Sequence, residues 1–214
     1  MGDIDIYLAG EEHNNHQYRM AEIELIKDMA ESNTINCLSL ELPFQRYNQH
    51  LKGFSLEELE THSPFGELTP IIFIAKKKGL DVIASDYRDT LAGYIIEGLR
   101  KADDSFHCSD DNKEKELEKL LLPLKYAPGD SSFYNGFSGD VAAAPDIFDF
   151  ISAAYDEERE RFTASILDNY IGTNAGAVVL HIAGHDHVEG IKRKLEDKGR
   201  RTDLVKLCLV DGVL

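Results

Sequence analysis

Two histidines and one glutamate of this chain stand where an α/β protein presents its reactive groups. Ile6–His13 reads IYLAGEEH and Leu180–His187 reads LHIAGHDH. Each is an apolar run, then Ala-Gly, two polar residues and His. Glu41 lies near the end of a third apolar run, INCLSLEL, where a carboxylate is costly unless it has a partner or a task. A His–Glu–His set suits a divalent metal, or a general base with an orienting carboxylate. His13, Glu41 and His187 are therefore the candidate catalytic residues and the candidate ligands of a divalent metal ion. A fourth run, DVIAS, leads into Asp86 and Arg88, placed to contact a substrate on the same rim.

Not every polar residue nearby needs a chemical role. Asn14 and Asn15 read as N-caps of the following helix. His16 and His185 are expected as second-layer or exposed groups rather than ligands. His181, inside a strand, reads as a core or sheet-face histidine, and His50, His62 and His107 fall in polar stretches without a pattern. No Walker A sequence, G-x-G-x-x-G, G-x-S-x-G elbow or HExxH is present, which removes the common nucleotide, serine-hydrolase and zincin signatures.

The elements that must position these residues follow from periodicity and punctuation. Ile4–Ala9, Ile35–Leu42 and Asp81–Ser85 read as strands, and Ala177–Ala183 and Leu204–Val210 as two more. Met20, Ile23, Ile26 and Met29 recur at helical spacing after the first strand. Ser55 with Glu58 forms a capping box opening Leu56–Thr61. Thr69–Lys78 has a proline near its start and a basic last turn, as a helix does. Asp146–Tyr170 reads as one or two helices, and Val188–Lys198 as the last. Strand–helix alternation predicts an α/β fold with a mainly parallel central sheet flanked by helices. In such a sheet ligands bind outside the carboxyl ends of the strands, where both Gly-x-x-His turns sit.

Residues 91–154 have a different character. Leu91–Lys101 and Asp110–Leu122 read as helices, and Pro128–Gly139, rich in Gly, Ser and aromatics, as a loop. The expectation is one domain over 1–214, with 91–154 a helical insertion or lid covering the carboxyl edge of the strands.

Composition narrows the partners. The chain has 214 residues and a net charge of −16, which repels nucleic acid phosphates and anionic lipid headgroups. A small-molecule substrate or ligand is expected, with neither nucleic acid nor membrane. Three cysteines, Cys37, Cys108 and Cys208, lack CxxC spacing. They exclude a disulfide framework or zinc ribbon, and Cys37 and Cys208 are expected as small core residues. With no basic and apolar leader pattern, a cytoplasmic location is expected.

Together these residues resemble the superfamily that groups erythromycin esterases, ChaN-like haem-binding proteins and the Tiki and TraB proteins, most closely its ChaN-like branch. The resemblance rests on Gly10-Glu11-Glu12-His13, Glu41 in LSLELP, Arg159-Glu160-Arg161-Phe162-Thr163-Ala164 and the closing GHDHVEGI. It spans 4–46, 80–90 and 155–199. It implies a parallel sheet with a helical insertion over the site, with His13, Glu41 and His187 at the centre and Glu11 and Arg159 in support.

Two functions are expected from this. The first is a hydrolase of an ester, lactone or amide, with water activated by His13 or bound to a metal, and Arg159 stabilising oxyanion charge. The alternative is a haem or small-ligand binder without catalysis, with Tyr126, Tyr134 or His185 as axial ligand.

Overall fold

Apolar runs bounded by Gly, Asn and Pro set the frame of the protein, in a computed structural model that describes residues 4–12, 15–86 and 144–209. β1 (Ile6–Glu11) leads to α1 (His16–Glu31) and β2 (Cys37–Pro43). Next come α2 (Phe44–Gly53), α3 (Leu56–His62), a short 3-10 turn (Gly66–Leu68), α4 (Thr69–Lys77) and β3 (Asp81–Asp86). After the undescribed stretch come α5 (Ala144–Thr173), β4 (Val179–Gly184), α6 (His185–Glu196) and β5 (Thr202–Val205).

The five strands form one sheet in the order β3-β2-β4-β1-β5, and every pairing is parallel. This is the α/β architecture expected. β1 and β4 are direct neighbours, with Glu11 opposite Gly184. Residues 1–88 and 159–214 form the unit that holds the sheet, and 89–158 form a second compact unit. The helices expected at 91–101 and 110–122, the 128–139 loop and most of the expected lid lie outside the described residues.

Both sheet faces are covered, which is why the strands read as continuous apolar runs. On one face Leu38, Leu40, Leu180 and Ile182 meet Ile26 of α1 and Ile71 and Ile72 of α4. On the other, Leu8, Ile83 and Val179 meet Leu167 of α5 and Val188, Ile191 and Leu195 of α6. Each fully buried Leu or Ile contributes about 1.5–3 kcal/mol by leaving water. Among the described residues, no helix is long and apolar enough to cross a membrane.

Several boundaries depart from expectation for local reasons. α2, for which no element was expected, carries Phe44, Tyr47 and Leu51 at helical spacing, with Leu51 its fully buried anchor. α6 starts at His185, three residues before the expected Val188, because Gly184 serves as its N-cap. β5 ends at Val205, so Cys208 lies beyond the sheet and is exposed, whereas Cys37 is buried. The buried stripe of α1 runs through Arg19, Ala21, Glu22, Ile26 and Met29, while Met20 is 44% exposed. Two expected caps are present: Asn15 accepts from the Gln17 N–H, and Ser55 and Glu58 close a reciprocal capping box.

Gly10 lets the start of α6 approach β1. A Cβ at this position would lie 2.8 Å from His185 Nδ1 and 3.2 Å from its Cα, closer than such atoms pack. Gly10→Ala should therefore lower the unfolding free energy by about 1–3 kcal/mol, the usual range for an overpacked contact. Chemical denaturation measures it, and unchanged stability would show that the approach is not tight.

Candidate functional site

The polar residues of the sheet gather where β2, β3 and β4 end. Glu41 accepts a hydrogen bond of 2.9 Å from the backbone N–H of Gly184, tying the end of β2 to the turn after β4. Arg159, from α5, grips Asp86 at the end of β3 through two bonds, Nε to Oδ1 at 3.0 Å and Nη2 to Oδ2 at 2.9 Å. The same guanidinium lies 3.6 Å from Glu41 Oε1. Its Nη1 is 3.1 Å from Nε2 of His187. A guanidinium can only donate, so Nε2 of His187 accepts and the ring proton stands on Nδ1. That atom faces Glu160 Oε1 at 3.7 Å, beyond hydrogen-bond range.

Glu160 is held in turn by Lys194, 2.8 Å away. It lies over the backbone of α6 at Gly190, where a Cβ would fall within its carboxylate. A glycine inside a helix marks close approach of another group, and this one admits Glu160. Arg159, Asp86 and Glu41 are each largely buried, so their charges act in a low-dielectric setting where pairing is strong.

A second polar layer lies deeper, within the sheet. Ser39, Ser85 and His181 come from three adjacent strands and are all fully buried. Ser39 Oγ donates to Ser85 Oγ at 2.7 Å, Ser85 Oγ donates to the Leu40 carbonyl at 3.2 Å, and His181 Nδ1 lies 3.1 Å from Ser39 Oγ. With both hydroxyl protons committed, Nδ1 of His181 carries the proton and donates to Ser39. Thr163 of α5 closes the layer by donating to the Ser85 carbonyl at 3.0 Å. Burial holds the His181 imidazole down to about 4, against the opposing pull of Asp86. It is a neutral core histidine, as its strand position predicts.

The structure thus brings Glu41, Asp86, Arg159 and His187 together. Glu11 is buried at the end of β1 and pairs instead with Arg19 at 3.3 Å. His16 and His185 are exposed, at the starts of α1 and α6. His13 and Arg88 lie outside the described residues, as do Tyr126 and Tyr134. Among the described residues, no group of three or more His, Cys, Asp or Glu side chains could hold a metal ion.

Residues that sequence reasoning passed over include Glu160, Ser39, Ser85 and Tyr18. The serines interrupting INCLSLEL and DVIAS were a readable signal, as was Gly190 inside α6. Tyr18 and His185 line a hollow of about 420 Å³ between the ends of β1 and β5 and the start of α6, with Leu8, Val188, Leu204 and Leu207 as apolar walls.

No family model matches the chain, and no curated protein matches it in sequence. The chain is similar in fold to ChaN of Campylobacter jejuni, in a structure describing cofacial haem binding to that protein. The TM-score is 0.57 at 13% identity, covering 95% of this chain and 81% of that one. The likeness supports a ChaN-like fold and bears on neither the erythromycin esterases nor the Tiki proteins.

The His181 layer makes acid stability measurable. The folded imidazole titrates near 4 and the unfolded one near 6.5, so below pH 6.5 the unfolded chain binds the extra proton. This contribution is complete above pH 6.5 and is lost as pH falls toward 4, by about 3 kcal/mol at most. Urea unfolding across that range should show the slope in the native chain, and His181→Asn should remove it. Identical slopes in the two proteins would place the acid sensitivity elsewhere.

Proposed function

We propose that this chain binds haem at the carboxyl edge of its sheet. The observation that carries the reading is the apolar hollow beside Gly10, where Tyr18 and His185 are the side chains able to ligate iron. Its walls suit a flat apolar macrocycle, and Lys206 on its lining offers a cation for a carboxylate. The fold shared with a haem-binding ChaN lends support over most of the chain's length. Bound haem would supply an iron centre, while Leu8, Val188 and Leu207 would exclude water from its face.

Titration of the full chain with haemin should shift the Soret band and saturate. Tyr18→Phe or His185→Ala, whichever removes the ligand, should weaken binding by about tenfold or more, roughly 1.4 kcal/mol. A flat spectrum in the native protein rejects the reading.

A second reading, hydrolysis of an ester, lactone or amide, is favoured by the convergence of Glu41, Asp86, Arg159 and His187. A divalent metal fits poorly between Glu41 and His187, because Arg159 already approaches both as a cation. Water would instead be activated by a histidine, with Arg159 stabilising the oxyanion. His187 must first release the hydrogen bond from Arg159 before Nε2 can take a proton. If the native chain cleaves a substrate in an ester, lactone and amide panel, Glu41→Gln and His187→Ala should each reduce turnover by roughly 10²-fold or more. Wild-type turnover in both variants rejects this site.

A further inference from the structure

Glu22 stands on the face of α1 that enters the core, fully buried. Its Oε2 is 2.5 Å from Arg19 Nη1, and Arg19 Nη2 is 3.3 Å from Oε2 of Glu11 at the end of β1. Glu67, on the 3-10 turn, reaches the same guanidinium at 3.7 Å but is half-exposed. Thus β1, α1 and the 3-10 turn each direct a carboxyl group at one arginine. Written as a carboxylate, Glu22 leaves its Oε1 buried without a hydrogen-bond donor among the described residues. A buried ionised group left in that state is strongly disfavoured. A proton on Glu22 removes the cost, turning carboxylate repulsion into an O–H···O⁻ bond, one of the stronger hydrogen bonds in proteins.

We propose that Glu22 is a carboxylic acid in the resting protein and donates its proton to Glu11, making it the positioning residue of the carboxylate that ends β1. Arg19 then balances one negative charge from Glu11 and accepts no second from Glu22. Burial, then the hydrogen bond to Glu11 and its charge, push the Glu22 carboxyl up to about 9, while Arg19 pulls the other way. The arrangement keeps a proton beside the carboxyl end of β1 under neutral conditions. A protonated acid beside an ionised one is the pattern by which paired carboxyl groups divide donor and acceptor roles.

Infrared difference spectra of the full chain at pH 7, wild type minus Glu22→Gln, should contain the C=O stretch of a protonated carboxyl group, shifted in D₂O. Labelling the wild type with carboxyl-¹³C glutamate reads the same band without any substitution, should the variant not fold. Stability supplies the second arm. The unfolded Glu22 ionises near 4.5 and the folded one near 9, so between these values the folded chain holds the extra proton. Wild-type stability therefore falls as pH rises through that window. The unfolding constants of wild type and Glu22→Gln should diverge by about tenfold per pH unit there, the linkage of one proton. Absence of the band at pH 7, or parallel stability curves from pH 5 to 8, overturns the proposal.

Discussion

Parallel pairing of β1 with β4 is the constraint on which this molecule depends. It sets Glu11 opposite Gly184 and so puts the carboxyl ends of β1 and β4 side by side, although most of the sequence separates them. β2, on the other flank of β4, brings Glu41 to the backbone of the second turn. Because successive side chains of a strand alternate faces, a slip of one residue in the β2–β4 pairing would send Glu41 and Ser39 to the wrong side. Register is enforced by apolar residues on both faces, since each must meet a helix.

Above this frame the polar groups divide into separately organised sets. Arg159 collects Asp86, Glu41 and His187 beneath α5, while Arg19 collects Glu11 and Glu22 beneath α1. Each set uses one arginine to hold acidic residues from different elements. Planar guanidinium groups suit this task because several fixed N–H donors leave one charge. The hollow beside His185 is different in kind, with apolar walls and few polar atoms. A flat ligand seated there would be held mainly by exclusion of water, whereas the Arg159 set would hold a small polar group by charge.

Much of the strand framework could be read from residues alone, because Gly10, Pro43, Gly79 and Gly199 punctuate apolar runs. Glu41 and Asp86 were expected on one rim from their strand ends and His187 from its Gly-x-x-His pattern, whereas Arg159 was expected there only through the family resemblance. What could not be read was which groups would pair. Arg159 choosing Asp86, or Glu160 lying over Gly190, depends on strand order and helix placement that local periodicity does not encode. α1 is the instructive case: Met20 matches the apolar period, yet Glu22 is the residue buried. A helical period identifies a stripe only to within a residue or so, and here an arginine–carboxyl cluster moved the stripe.

Strand order also has a consequence for how the polypeptide acquires its shape. Both partners of β1, the strands β4 and β5, come from residues 179–205. Among the described strands, β1 thus has no partner until residues 179–205 have been made. β2 and β3 can pair in the meantime, leaving a gap that β4 later fills as the central wedge. Such long-range closure slows folding, because chain entropy is lost before the contacts that offset it. During that interval the apolar edge of a nascent sheet stands open, a state that chaperones recognise and that aggregation exploits.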